Sequence, residues 1–177
     1  DTMKAAGMNL VSTYVPWDYH NTADGTWDWS GARDLNKFLT LACERKMWVV
    51  FKPGPLITGE WPKGFGTFGA VPAWWKTKHP EALVKKANGD LWSYSPTGDV
   101  AQRQPTYLHP TYLGAVKDYY ERVFAIAKPY LGKCLVGVQV DNETNGYWGN
   151  RYGEVDYSDA SLAHFRKFLE AKYGSIA

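Results

Sequence analysis

The chain has 177 residues, 45% hydrophobic and 21% charged, with a formal net charge of +2, nine Trp and two Cys. Those proportions describe a globular protein and exclude a disordered tail, a collagen-like repeat and a small disulfide scaffold. Lys and Arg are scattered among acids and no apolar run approaches the roughly 20 residues of a membrane-spanning helix, so neither nucleic acid nor a membrane span is expected.

Residues 1–7 read as the last turn of a helix stopped by Gly7, which places the start inside a larger fold. Residues 8–15 form a β-branched run ended by Pro16-Trp17 and read as a buried strand. Ser30 is placed to cap the next segment, where Leu35, Phe38, Leu39 and Ala42 recur at helical spacing up to Lys46. Residues 47–52 are a second apolar run, punctuated by Pro53-Gly54-Pro55. Strand, helix and strand joined this way predict a βαβ unit and a parallel sheet.

From Leu56 to Gln104 runs a connection rich in Gly, Pro and Trp, with a turn signal at Asn88-Gly89 and a short helix expected over 81–87. A connection so long is a functional loop or carries small elements of its own. The helix that follows places Leu113, Val116, Tyr120, Val123, Phe124, Ala127 and Leu131 on one face, and Gly132 closes it. Residues 135–140 form a third strand run, and Leu162, Phe165 and Leu169 mark a last amphipathic helix between a Ser158 cap and Gly174. Cys43 in the first long helix and Cys134 beside the third strand are expected as buried thiols, with a bridge as the alternative. No repeat, low-complexity tract or linker divides residues 1–177, which read as one piece of one domain.

Both a doubly wound sheet and a β/α barrel fit this order. Polar and aromatic residues cluster past every strand end: Tyr14, Trp17, Asp18 and His20; then Thr58, Glu60 and Trp61; then Asp141, Asn142, Glu143 and Asn145. Barrel enzymes draw catalytic residues from the carboxyl ends of several strands, so the recurrence favours a barrel. A nucleotide-binding sheet would need a Gly-rich phosphate loop opening a helix, and Gly64-Phe65-Gly66 with Gly69 lacks that frame. A complete eightfold barrel takes about 250 residues, so the chain is read as part of one.

His20, His79, His109 and His164 show no metal-ligand spacing, and no Gly-x-Ser-x-Gly elbow marks a nucleophilic serine. No metal or cofactor is therefore expected, and carboxylates are left to carry the chemistry. Glu143 directly follows an apolar strand and precedes the aromatic, Gly-rich stretch Gly146-Tyr147-Trp148-Gly149. A carboxyl held among aromatic rings has its charged form disfavoured, which suits a general acid. Taken locally, a structural Glu salt-bridged at a strand end fits equally. Trp17, Trp61, Trp74, Trp75, Trp92, Tyr147 and Trp148 fall mostly in loops after strands, where indole faces could stack on sugar rings while nearby amides and carboxylates bind hydroxyls. The alternative is that these rings plug the mouth of the sheet.

Three motifs in order carry a resemblance. Thr13-Tyr14-Val15-Pro16-Trp17, Lys52-Pro53-Gly54-Pro55-Leu56-Ile57-Thr58-Gly59-Glu60-Trp61 and Val138-Gln139-Val140-Asp141-Asn142-Glu143 resemble the β-galactosidases of glycoside hydrolase family 35, supported by Val71-Pro72-Ala73-Trp74. The closing Phe165-Arg166-Lys167-Phe168-Leu169 with Lys172-Tyr173-Gly174 is similar to the related family 42.

The resemblance implies an α/β fold, a partial (β/α)8 TIM barrel of roughly strands 2 to 4 with their helices, and a retaining exo-β-galactosidase-like activity on terminal β-galactosides. It assigns Glu143 as general acid/base and Asn142 to the sugar 2-hydroxyl. Tyr14, Thr58, Gly59 and Glu60 would line the galactose pocket. The nucleophile, with the rest of the barrel, would come from sequence outside this chain, so the fragment is expected to be inactive alone. Glu60 as nucleophile is the competing assignment. Enzymes of this resemblance often act outside the cytoplasm, in extracellular or periplasmic space. Leu56, Thr58 and Asp141 depart from the Tyr, Cys and Glu that family members usually carry. Two alternatives stay open: another barrel glycosidase such as a β-glucanase or mannanase, and a non-catalytic carbohydrate-binding barrel.

Overall fold

The computed structural model of the chain describes residues 1–58, 68–143 and 155–175. In chain order it holds α1 (Thr2–Ala5), β1 (Leu10–Tyr14), α2 (Trp17–His20), β2 (Asn21–Ala23), β3 (Thr26–Trp27), α3 (Leu35–Glu44), β4 (Trp48–Ile57), α4 (Ala73–Lys78), α5 (Pro110–Ala127), β5 (Leu135–Asn142) and α6 (Asp159–Tyr173). These belong to two compact units, the described parts of 1–72 with 117–144 and of 73–116 with 145–177.

The first unit is built on a parallel sheet of order β1-β4-β5, as the βαβ reading requires. Val49 and Phe51 of β4 are fully buried, as are Leu39 of α3 and Val123 of α5, and the Phe51 ring meets Phe124 edge-on at 6.0 Å. β4 runs longer than the expected 47–52, passing through Pro53-Gly54-Pro55 to Ile57. Proline has no N–H to give a ladder, and the pairing with β5 shifts register between Phe51 and Gly54 and again before Ile57. Carbonyls at this break are taken by α5. The Tyr119 hydroxyl is shared between the oxygens of Val15 (2.5 Å) and Pro53 (2.7 Å), and the Tyr120 hydroxyl donates to Gly54 O. Burial pushes the Tyr119 phenol well above its ordinary pKa, so it remains a donor.

These bonds rotate α5 from its expected face. Tyr112, Tyr119, Val123 and Ala127 are buried, while Leu113 and Leu131 are 53% and 50% exposed. The predicted Ser30 cap is also displaced: Asp34 caps α3, accepting from Lys37 N at 2.8 Å, and Ser30 precedes a single 3-10 turn. Cys43 and Cys134 form a disulfide with Cα atoms 5.2 Å apart, so the thiol expectation fails. The parallel crossover brings the last turn of α3 beside the start of β5, which a sequence separation of 91 conceals.

Several Trp residues expected to face sugar are core. Trp17 is 2% exposed and stacks on Tyr119 at 5.5 Å; Trp27, half-buried and outside that expectation, stacks on Tyr119 and on Trp29, each at 6.1 Å. Arg122 lies over the Trp27 ring at 4.9 Å. Trp75 and Trp92 are buried in the second unit. Trp61 and Trp148 lie outside the described residues.

In the second unit, the helix expected over 81–87 is replaced by a 3-10 turn at Pro80–Ala82. The chain then folds back around Asn88-Gly89, with antiparallel bridges Lys85↔Leu91, Ser93↔Arg103 and Leu83↔Pro105. Ser158 caps α6 as predicted, and Asp156 accepts from Ser158 and Ser161. Burial raises the Asp156 pKa, but hydrogen bonds from Ser161, Thr106 and Ser158 outweigh it and hold the carboxyl below its usual range. No helix among the described residues is long and apolar enough to cross a membrane.

Tyr119→Phe keeps the stacked ring but leaves two carbonyls without their donor. We expect a loss of about 1–3 kcal/mol in urea unfolding. Reducing the disulfide should lower stability by on the order of 4 kcal/mol for a loop of this length, read as a shifted unfolding midpoint with and without dithiothreitol.

Candidate active site

Because the three sheet strands are parallel, their carboxyl ends lie side by side. Tyr14 ends β1, Ile57 ends β4 with Thr58 next, and Asn142 ends β5 with Glu143 next, Ile57 being in register with Asn142. The Tyr14 hydroxyl donates to Asn142 Oδ1 at 3.1 Å. Gln139 Nε2 donates to the same oxygen at 3.0 Å and to Asp141 O at 3.0 Å, and Asn142 Nδ2 donates to Thr58 O at 2.6 Å. The amide is thereby locked in one orientation, its oxygen served by two donors and one N–H committed to β4. Its other N–H has no partner among the described residues.

The main chain here is strained. Asp141 and Glu143 have φ of +57° and +53° on either side of Asn142. Left-handed backbone costs a non-glycine residue roughly 1–2 kcal/mol, and such conformations persist only where surrounding contacts hold them. The end of β4 supplies those contacts. Leu56 N donates to Asp141 Oδ1 (2.9 Å), Thr58 N to Asn142 O (3.0 Å), and Thr58 Oγ1 to the carbonyls of both Asn142 and Glu143 (2.8 Å each).

Tyr14, Thr58, Asn142 and Glu143 are thus brought together, with Glu143 exposed and Thr58 only 5% exposed. Gly59 and Glu60 lie outside the described residues, as does the aromatic stretch 146–149. Leu56 is buried against Gly69, where a Cβ would come within 2.1 Å of it. Asp141 is half-buried; burial pushes its carboxyl up, while the Leu56 N–H pulls it back. The Tyr120 phenol is pushed up by burial first and then by the Asp141 charge.

Other polar residues past β1 serve the aromatic core. His20 is buried and stacks on Trp29 at 4.2 Å, and its Nδ1–H donates to Asp28 O at 3.1 Å. Burial foremost lowers its pKa, which favours the neutral ring. A cleft of about 280 Å³ opens beside Tyr14, Tyr19, Arg33 and Leu35, but neither Asn142 nor Glu143 lines it.

Gln139 and Lys52 support this cluster, and neither is given a role by the sequence alone. Lys52 Nζ sits 4.9 Å from the centre of the Tyr14 ring, a cation–π contact that steadies the phenol. Each is a polar residue at an alternate position of an otherwise apolar strand, which is the signal that could have marked them.

Parallel strands linked by helical crossovers, with polar groups gathered at their carboxyl ends, make this chain part of a (β/α)8 barrel. Comparison with known proteins specifies the class further. The sequence profile of Glycosyl hydrolases family 35 matches residues 1–95, and the chain belongs to that family. It is 40% identical to an exo-β-D-glucosaminidase of Thermococcus kodakarensis over 97% of this chain and 22% of that protein. It is 32% identical to a β-galactosidase of Felis catus over 94% of this chain and 21% of that protein. The fold is shared with a β-galactosidase from the haloarchaeon Halorubrum lacusprofundi, with a TM-score of 0.70 at 20% identity, covering 98% of this chain and 22% of that one. The chain spans about a fifth of the length of these proteins.

Gln139→Glu would set an acceptor against Asn142 Oδ1 and Asp141 O in place of a donor. It should destabilise the protein by about 1–3 kcal/mol in urea unfolding, and by more than the shape-preserving Gln139→Met, which leaves Tyr14 still donating.

Proposed function

We propose that this chain carries the acid/base side of the active site of a retaining exo-β-galactosidase-like glycosidase, residues 1–177 being part of one catalytic barrel domain. The observation that supports it most is the network of Tyr14, Gln139, Thr58 and Asn142, which holds Asn142-Glu143 at the carboxyl edge of the sheet. Glu143 gives its proton to the glycosidic oxygen as the bond from C1 to that oxygen breaks and a second carboxylate, outside this chain, bonds to C1. Glu143 then takes a proton from the water that displaces that carboxylate. The two carboxyls of a retaining pair stand about 5–5.5 Å apart. Asp141 is a poor second partner, since its carboxyl is taken by Leu56 N. Glu60 is read as a sugar ligand. The second N–H of Asn142, which has no partner among the described residues, meets the 2-hydroxyl, and the reaction calls for no metal or cofactor.

The identity to the archaeal exo-β-D-glucosaminidase favours a second reading, in which the substrate carries an amine at C2. A C2 ammonium asks for a carboxylate at the position of Asn142, whereas a neutral amide suits a hydroxyl, so the galactoside reading stands first.

The full-length protein carrying this chain is expected to hydrolyse p-nitrophenyl β-galactoside faster than the β-glucosaminide, β-glucoside and β-mannoside. Glu143→Gln should lower kcat by about 10²–10⁴ while sugar binding persists. Activity confined to the glucosaminide moves the assignment to the second reading. Activity confined to the glucoside or mannoside points to a β-glucanase or mannanase, and binding without turnover in the unaltered protein to a carbohydrate-binding barrel. Turnover that survives Glu143→Gln removes Glu143 from the role.

A further inference from the structure

We propose that Thr58 is a positioning residue for Glu143, acting through the main chain, and not a ligand of the sugar; this rests on the reading of Glu143 as acid/base. Thr58 is 5% exposed, and its single hydroxyl proton is shared between the carbonyls of Asn142 and Glu143, each 2.8 Å away. No proton is left for a substrate oxygen. Its N–H binds Asn142 O at 3.0 Å and its own carbonyl accepts from Asn142 Nδ2 at 2.6 Å, so every polar group of Thr58 faces the end of β5.

What these bonds hold is the backbone of Glu143 itself. Its φ of +53° is a conformation that a residue with a side chain leaves readily unless restrained. The direction in which the Glu143 side chain departs follows from that angle. Relaxation toward ordinary extended backbone would swing the carboxyl away by a bond length or more, and a displacement of about 1 Å in a reacting group can cost on the order of 10²-fold in rate. The hydroxyl at position 58 is therefore an anchor for the proton donor.

The test separates positioning from mere stability, because loss of a well-placed acid hurts poor leaving groups more than activated ones. In the full-length protein, kcat/KM would be measured for the accepted sugar carrying either a phenyl or a 2,4-dinitrophenyl leaving group. For Thr58→Val we expect a fall of about 10- to 100-fold on the phenyl glycoside and less than about threefold on the dinitrophenyl glycoside, with Thr58→Ser restoring both to within about threefold of the starting values. An equal fall on both substrates, or no fall on either, overturns the proposal. Glu143→Gln is run in parallel. If it shows the leaving-group dependence and Thr58→Val does not, Thr58 alone loses its role. If Glu143→Gln lacks that dependence, the acid/base reading is the one that fails.

Discussion

The hydrogen bonds from Tyr119 and Tyr120 to the carbonyls of Val15, Pro53 and Gly54 carry the sheet past its weakest point. The middle strand has prolines at 53 and 55, neither able to donate to a neighbour, and a buried carbonyl without a donor is costly. Adjacent phenols on α5 meet that need from outside the ladder. With the break satisfied, β4 continues to Ile57, and only because it does can Leu56 and Thr58 reach the end of β5. The aromatic slab of Trp17, Trp27 and Trp29 leans on the same Tyr119 ring, so core packing and the polar edge share one anchor.

The candidate site is mostly a main-chain construction. Three of the bonds that hold Asp141 to Glu143 come from backbone N–H or carbonyl groups of β4, and the fourth group is the Thr58 hydroxyl. Such an arrangement suits two residues in left-handed backbone, because restraints on the chain itself oppose relaxation more directly than restraints on a side-chain tip. Side chains enter where orientation of the Asn142 amide matters: Tyr14 from the end of β1 and Gln139 from β5 itself fix the Asn142 oxygen, and Lys52 steadies Tyr14 in turn.

Much of this was legible in the sequence, and what was not has identifiable causes. β-branched runs mark β1 and β5, and the polar residues at their ends put Tyr14, Asn142 and Glu143 at the carboxyl ends of the two strands that flank β4. The Pro-Gly-Pro motif looks like the end of a strand in sequence, since the donors that let β4 continue are 66 residues away. The helical periodicity of α5 admitted Leu113 and Leu131 on its buried face. Tyr119 takes the buried face in place of Leu113 because its hydroxyl finds carbonyls that hydrophobicity does not register, and Leu131 lies past the end of the helix at Ala127. Trp residues in apparent loops suggested a stacking surface, yet Trp17 and Trp75 pack into interiors. Loop position says little about burial when a short helix such as α2 or α4 turns the ring inward.

By itself the sequence determined the order of strand and helix, the parallel sense of the sheet and the identity of the carboxylate that follows β5. These follow from local patterning and chain connectivity. Tertiary structure alone decided the Cys43–Cys134 bridge, the face α5 buries, the support of Asn142 by Gln139, and the use of Thr58 as a clasp on Glu143. Each of these joins groups that are distant in sequence or turns on which way one side chain faces, and periodicity carries no record of either.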